Sequence, residues 1–304
     1  MSAFKNILLV GAGGSIGSIV LEALLKESSF TVTILQRASS KTAIPDGVRS
    51  IKVADDYPTA ELEAAFRGQE AIVNCMTSLS VIDQFRFIDA AVAVGVRRYL
   101  PSEYGLNNMR KDAQALSTVF RDKGRVQERL RELAAAGRIE WTSVSCGMWI
   151  RWSLAHEFLG LHLKERRAVL WDDGEGLCSC TTEENTALAL VRALSEFPEE
   201  TRNQNVLLSD FAVSQRQMVA ELERQTGGEP WKVEKLDSVK FIEEQQKLVE
   251  GGNVGATFAL IETGFLTGRY GGHLELEGDI FNEKLGLKKH TLEDVIASAL
   301  KALK

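Results

Sequence analysis

Apolar and polar positions in the first half of the chain fall into alternating short and long blocks, the first matching strands and the second helices. Ile7-Leu8-Leu9-Val10 is a continuous apolar run bounded by Lys5 and Asn6, the pattern of a strand buried on both faces. In the next block Ile16, Ile19, Val20, Ala23 and Leu24 fall on one stripe of a helix running to Lys26. The alternation continues with strands predicted at 31–35, 48–53, 71–75, 97–100 and 141–145. Helices are predicted at 59–66, with Pro58 at the start, at 81–94, closed by Gly95, and over about 115–135. Repeated strand–helix units with right-handed crossovers give an α/β fold, a Rossmann-type doubly wound parallel sheet.

After Gly147 the rhythm changes. Met148, Trp149, Trp152, Phe158 and Trp171 bring large apolar groups together in sequence. Helices follow near 184–195, 214–226, 238–250, 253–266 and 291–302, with short strands around 205–208 and 231–236. This half reads as a smaller α+β region building a pocket over the carboxyl edge of the sheet. The expected division is a dinucleotide-binding domain over 1–148 and a substrate-binding region over 149–304, the latter free to return elements to the sheet.

Between the first strand and the first helix stands Gly11-Ala12-Gly13-Gly14-Ser15-Ile16-Gly17. Strand, glycine turn and helix in succession make this a candidate dinucleotide site. Gly11 permits the tight turn, Gly13 and Gly14 let main-chain N–H groups approach a pyrophosphate, and Gly17 lets the helix lie close to the strand. The helix N-terminus then faces the phosphates with its positive end. The candidate cofactor contacts here are Gly11, Gly13, Gly14, Ser15, Ile16 and Gly17; the bland alternative is a tight connection without a ligand. An acidic residue ending the second strand would bind ribose hydroxyls. This chain instead has Gln36-Arg37, then Ser39, Ser40 and Lys41, a set suited to a 2′-phosphate. NADPH is therefore the expected cofactor, with Arg37 and Lys41 as contacts and Asp55, after the third strand, as a candidate adenine contact.

Net charge is −6 with no long block of one sign, which excludes the positive footprint of nonspecific nucleic-acid binding. No apolar run approaches the ~20 residues of a membrane span. The early first strand leaves no room for a leader, so a cytoplasmic location without membrane attachment is expected. Cys75, Cys146, Cys178 and Cys180 form no Cys-x-x-Cys pair, and His156, His162, His273 and His290 are scattered, so no metal is expected. Apolar faces on the later helices would suit a homodimer.

Arg98-Tyr-Leu-Pro-Ser-Glu-Tyr-Gly105, followed by Lys123-Gly-Arg-Val-Gln-Glu-Arg129, resembles the isoflavone reductase-like (NmrA-like) family of atypical short-chain dehydrogenases/reductases. The glycines 11, 14 and 17 and Arg37 agree with that family, and the resemblance covers most of the chain. Trp141-Thr-Ser143, Gly147 and Phe158-Leu-Gly-Leu161 stand closer to its fungal branch than to its plant enzymes. The resemblance implies NADPH binding, secondary metabolism and reduction of a small aromatic, phenolic or conjugated carbonyl compound. It also implies one catalytic lysine, at the position of Lys123, and a loop after the fourth strand that borders the nicotinamide, making Met76 and Thr77 cofactor contacts.

An amine partly withdrawn from water loses some of its preference for charge and can serve as general acid or base. A cationic Lys123 would instead polarise a carbonyl or stabilise an oxyanion. The bland alternative is a surface lysine on an amphipathic helix beside Arg121, Arg125 and Arg129. Ser102 and Glu103 would order the loop after the fifth strand, and Glu103 could pair with Lys123. Tyr104 lacks the lysine four positions on that ordinary short-chain enzymes use, since position 108 is Asn. Candidate substrate contacts are Tyr104, Met148, Trp149, Trp152 and His156; the tryptophans suit a flat aromatic ligand or a packed core equally, and His156 reads more readily as a buried helix histidine. Two other functions share these features, a dinucleotide-sensing regulator without turnover and a non-redox isomerase or cyclase.

Overall fold

β1 (Asn6–Val10) is buried along four of its residues because hydrogen-bonded strands flank it on both sides. The chain continues through α1 (Ser15–Lys26), β2 (Thr31–Arg37), β3 (Arg49–Val53), α2 (Thr59–Phe66), β4 (Ala71–Asn74), a 3-10 segment (Ser78–Asp83), α3 (Gln84–Ala93), β5 (Arg98–Leu100), α4 (Lys111–Leu116), α5 (Thr118–Ala135) and β6 (Glu140–Ser145). The second half runs through α6 (Ile150–Ala155), β7 (Leu161–His162), β8 (Arg167–Trp171), β9 (Leu177–Cys180), α7 (Glu183–Ser195), β10 (Gln204–Leu207), β11 (Phe211–Ser214) and α8 (Gln215–Gln225). It ends with β12 (Lys232–Leu236), α9 (Ser238–Glu250), α10 (Val254–Leu266), a 3-10 turn (Leu274–Leu276) and α11 (Leu292–Ala302). This computed structural model describes residues 4–303; the outermost residues of the two expected domains, 1–3 and 304, lie outside it.

The main sheet has seven strands in the order β3-β2-β1-β4-β5-β6-β10. Pairs from β3 through β6 are parallel, with Leu9 opposite both Ile34 and Val73. Strand order reverses at β1 and β4, and the crevice beyond the carboxyl ends of such a pair is where doubly wound sheets bind ligands.

The chain divides into two compact units that interleave in sequence. The first holds residues up to Glu103 with Asp122–Val144 and Glu183–Val206; the second holds Tyr104–Arg121, Ser145–Thr182 and the chain from Leu207 onward. Where the sequence pattern places one cut after residue 148, the structure therefore returns 183–206 to the sheet unit and assigns 104–121 to the other.

In the first unit Leu8, Leu35, Phe66, Ile72, Phe87 and Trp141 form the core. α1 buries Ile16, Val20 and Leu24 of the predicted stripe and adds Leu21, while Ile19 and Ala23 are half-buried. Arg98 lies fully buried in β5, and its guanidinium donates to Glu140 at 2.7 Å. Burial lowers its affinity for the proton and Glu140 opposes that effect. Such a charge survives inside the unit because a partner on the adjoining strand compensates it.

In the second unit β12-β8-β7 and β11-β9 are small separate sheets. Trp171 anchors the core, donating its indole N–H to Thr263 at 2.9 Å with the Phe241 ring edge-on at 5.7 Å. Val239 and Leu248 on α9 and Val254 on α10 remain exposed. β7, β8, β9, β11 and α6 escape the pattern because they are short and their faces are set by partners elsewhere in the chain. The long helix expected at 115–135 is two helices, since Ser117 adopts extended backbone and its hydroxyl accepts the Val119 N–H at 3.3 Å. Among the described residues no helix is long and apolar enough to cross a membrane, and no cluster of three or more His, Cys, Asp or Glu side chains could hold a metal.

A Cβ on Gly17 would stand 2.0 Å from the Gly11 carbonyl oxygen, so α1 can approach β1 only through a glycine. Gly17→Ala is expected to lower stability by ~1–3 kcal/mol, as overpacked sites do, read from urea unfolding; an unchanged midpoint would show that α1 can shift freely.

Candidate active site

The turn after β1 closes through main-chain contacts alone. Gly11 has φ +81°, and a Cβ there would stand 2.5 Å from the Cys75 carbonyl oxygen beyond the end of β4. The Gly14 N–H donates to the Gly11 carbonyl at 3.0 Å, and Gly14 caps α1 with no side-chain acceptor. The N-terminus of α1 thus points its positive end at this turn with no side chain at the cap position. Beside this turn opens a cavity of about 390 Å³, within the range of roughly 300–1,000 Å³ common for ligand pockets.

Gly11, Gly13 and Gly14 line one side of the cavity, and Arg37 with Ser40 lines another. Arg37 ends β2 and is exposed. The loop after it is braced from two directions. The Asp55 carboxylate accepts the Ser39 N–H at 3.0 Å, and the Gln36 amide donates to the Thr42 carbonyl at 2.9 Å. Hydrogen bonding from Ser39, with a smaller contribution from the Arg37 charge, holds Asp55 below the usual carboxylate range. Thr42 in turn lies so close to Gly13 that a Cβ there would meet its hydroxyl at 2.3 Å. Asp55 lines the cavity while bracing this basic loop, a connection the strand pattern does not reveal.

Tyr57 also lines the cavity and escaped the sequence reading. Its backbone is left-handed, φ 52°, and its ring packs edge-on against Phe87 at 4.9 Å. An aromatic residue just past the third strand was the available signal. Ser15, Ile16, Gly17 and Lys41 are not among the lining residues; Ile16 and Gly17 are buried in the turn's support, and Ser15 and Lys41 are exposed.

Met76 and Thr77 line the cavity after β4. Asn74 orders this end, donating to the Tyr99 hydroxyl at 2.8 Å and accepting the Met76 N–H at 2.9 Å. Ser102 donates its hydroxyl to the Met76 carbonyl at 2.7 Å, and its own N–H is received by Gln84 at 2.9 Å. The next residue, Glu103, accepts the Lys123 ammonium on its main-chain carbonyl at 2.5 Å. Lys123 is only 7% exposed, so it is not a surface lysine of an amphipathic helix. The carbonyl acceptor fixes the position of the nitrogen.

The substrate candidates belong to the second unit. Tyr104 has left-handed backbone, φ 41°, and its ring lies 6.4 Å from that of Trp149. Trp152 stacks on His156 at 4.4 Å and meets Phe158 edge-on at 5.4 Å. Met148 is buried in the core. His156 is exposed, contrary to the buried histidine expected there, because it terminates the short α6; its Nδ1 lies 2.8 Å from the Trp152 carbonyl.

Sheet order, glycine turn and cavity place the first unit in the Rossmann class of α/β folds. The chain belongs to the NmrA-like family, whose model matches residues 4–239. It is 33% identical to oxidoreductase aprR of Aspergillus flavus over 302 residues, covering 97% of this chain and 99% of that protein. Its fold is similar to the binary complex of leucoanthocyanidin reductase with NADPH from Vitis vinifera, with a TM-score of 0.77, 16% identity, and 98% and 100% of the two chains covered. An isoflavone reductase crystal structure is similar at a TM-score of 0.75 and 19% identity, over 97% and 99% of the chains.

Asp55→Ala would release the Ser39 amide and let the loop leave the glycine turn. Dinucleotide binding, followed by protein fluorescence, is expected to weaken roughly 3–10-fold, the range of one hydrogen bond to a charged group in a partly exposed setting, with little change in melting temperature. Unaltered affinity would show the brace to be dispensable.

Proposed function

We propose that the protein is an NADPH-dependent reductase of a small aromatic, phenolic or conjugated carbonyl compound, with Lys123 managing the proton. The observation that carries this reading is a pair of contacts on neighbouring residues, the Ser102 hydroxyl on the Met76 carbonyl of the cavity wall and the Lys123 amine on the Glu103 carbonyl. They tie a buried amine to the loop that lines the cavity. The aprR relative is named an oxidoreductase, and the Vitis vinifera neighbour is a reductase in complex with NADPH, which supports the same chemistry here.

The residues present fit the cofactor. The side-chain-free cradle of Gly11, Gly13 and Gly14 suits a pyrophosphate, Arg37 and Ser40 suit a 2′-phosphate, and the Tyr57 ring suits an adenine face. NADPH, when bound, supplies a hydride. Lys123 would hold a proton at Nζ and pass it to the oxygen that gains charge when a carbonyl carbon is reduced, or take one from a phenol. Recognition of a flat ring is assigned to Tyr104, Trp149 and Trp152 of the second unit, with Met148 as core support and His156 as a polar neighbour of the stack.

Arg37→Ala is expected to weaken NADPH binding about 10–100-fold, the worth of charge-assisted contacts to a phosphate, while NADH binding changes little. Calorimetric titration of both reads this directly, and an equal loss for the two would sink the 2′-phosphate assignment. Lys123→Met keeps the volume of the buried side chain. Turnover is expected to fall by ~10²–10⁴-fold, the usual contribution of general acid–base catalysis, with NADPH affinity nearly intact. Full activity would remove Lys123 from the chemistry.

A further inference from the structure

The chain passes from α6 into β7 through a corner at 156–160 with left-handed backbone at Glu157 (φ 53°), Leu159 (φ 63°) and Gly160 (φ 65°). Gly160 has no room for a side chain, since a Cβ would stand 2.3 Å from the Val169 carbonyl oxygen. Glu157 and Leu159 occupy a region that L residues adopt only when their surroundings hold them there. Glu262 on α10 supplies that hold. Its carboxylate accepts the Leu159 N–H at 2.5 Å and the Gly160 N–H as well. Gln215 secures the other side, donating to the Leu159 carbonyl at 3.0 Å. Trp152, just before the corner, meets the rings of both His156 and Phe158, and the Phe158 N–H donates to the Ser153 carbonyl at 2.8 Å.

We propose that Glu262 is a positioning residue: by holding the Leu159 amide of the 159–160 corner it sets the arrangement of the Trp152, His156 and Phe158 rings. The inference rests on the assignment of Trp152 to substrate recognition made above. A structural strut would act equally at every pH, and Glu262 does not. Burial pushes its carboxyl up to about 7, against the pull of the two N–H donors. In an opened, hydrated corner it would return to the ordinary value of 4.5. The closed corner therefore prefers the protonated carboxyl and the open corner the ionised one. Raising the pH from below 4.5 to above 7 shifts the balance toward the open corner by ~300-fold at the limit.

No charged side chain is among the causes of this shift. The helix α10 packs against α9, β9 and α4. The charged groups of α9, Lys240, Glu243, Glu244, Lys247 and Glu250, are exposed, as are Lys111 and Asp112 of α4, and β9 carries only the buried thiols of Cys178 and Cys180. On the corner itself Glu157 pairs with His162 at 3.3 Å, and His156 touches Trp152. His156 is a second titratable side chain in direct contact with Trp152, so it is the group the experiment must separate from Glu262.

The test follows the Trp152 emission of the full chain, taken as the difference between wild type and Trp152→Phe, from pH 5 to 8.5. The expected result is a red shift with greater acrylamide quenching as pH rises toward 7, levelling off above it, retained in His156→Gln and absent in Glu262→Gln. Exchange of the Leu159 and Gly160 amides in the wild type, corrected for its intrinsic pH dependence, is expected to rise over the same range, which keeps the test valid should Glu262→Gln fold poorly. A transition that survives Glu262→Gln, or that vanishes in His156→Gln, would overturn the proposal, and so would pH-independent exchange. Binding of 2-naphthol, used as a flat aromatic probe, separates this inference from the reading beneath it. Affinity that falls with pH in the wild type but not in Glu262→Gln supports both. A Glu262-dependent transition with naphthol binding indifferent to Trp152→Phe supports the hold on the corner and removes Trp152 from substrate recognition.

Discussion

The approach of main chain to main chain around Gly11 is the constraint on which the sheet-bearing unit depends. Gly11 meets the carbonyl that follows β4, and Gly17 meets the carbonyl of Gly11, at distances where a methyl group cannot stand. These contacts set the spacing between the first two central strands and the helix above them. They also put a residue without a side chain, Gly14, at the cap of α1. Packing and binding capacity therefore come from the same absence of side chains. The seven-stranded sheet then does the rest by placing Arg37, Asp55 and Met76 at the carboxyl ends of β2, β3 and β4, on either side of β1.

A second layer of order comes from buried polar groups that constrain one another. Asn74, Tyr99, Gln84 and Ser102 bond in succession around the loops after β4 and β5. Tyr99 is completely buried, and burial pushes its phenol far above the ordinary range, so it stays a neutral donor and acceptor. Groups so enclosed must satisfy each other or lose the solvation they had in water. This network holds the Pro101-Ser102-Glu103 turn, whose carbonyl receives Lys123. The position of the amine is thus a consequence of polar packing several residues away from it.

Legibility in the sequence varied with the range of the signal. The first strand, the glycine turn and α1 are contiguous, and hydrophobic periodicity located them to within a residue or two. The later helices were equally plain, α9 falling at 238–250 as its amphipathic stripe required. β7, β8, β9 and β11 were not legible, because short strands in separate small sheets take their facing from partners far along the chain. The family motif pointed to Lys123, but a lysine among Arg121, Arg125 and Arg129 gave no local sign of being buried. Tyr57 was missed for the opposite reason: a lone aromatic residue in a turn matches no periodic pattern, and only the cavity reveals its use.

The sequence by itself determined the doubly wound sheet, the order in which its helices cross it, and the glycine turn, since each is encoded by neighbours within one turn of helix or one strand. Tertiary structure alone decided that Asp55 braces the loop beginning at Ser39, that Lys123 reaches the carbonyl of Glu103, and that Glu262 holds the corner at Leu159. Those contacts join residues 16, 20 and 103 positions apart. A hydrogen bond of that kind has no periodicity to read, because its two ends meet only after the elements carrying them have packed.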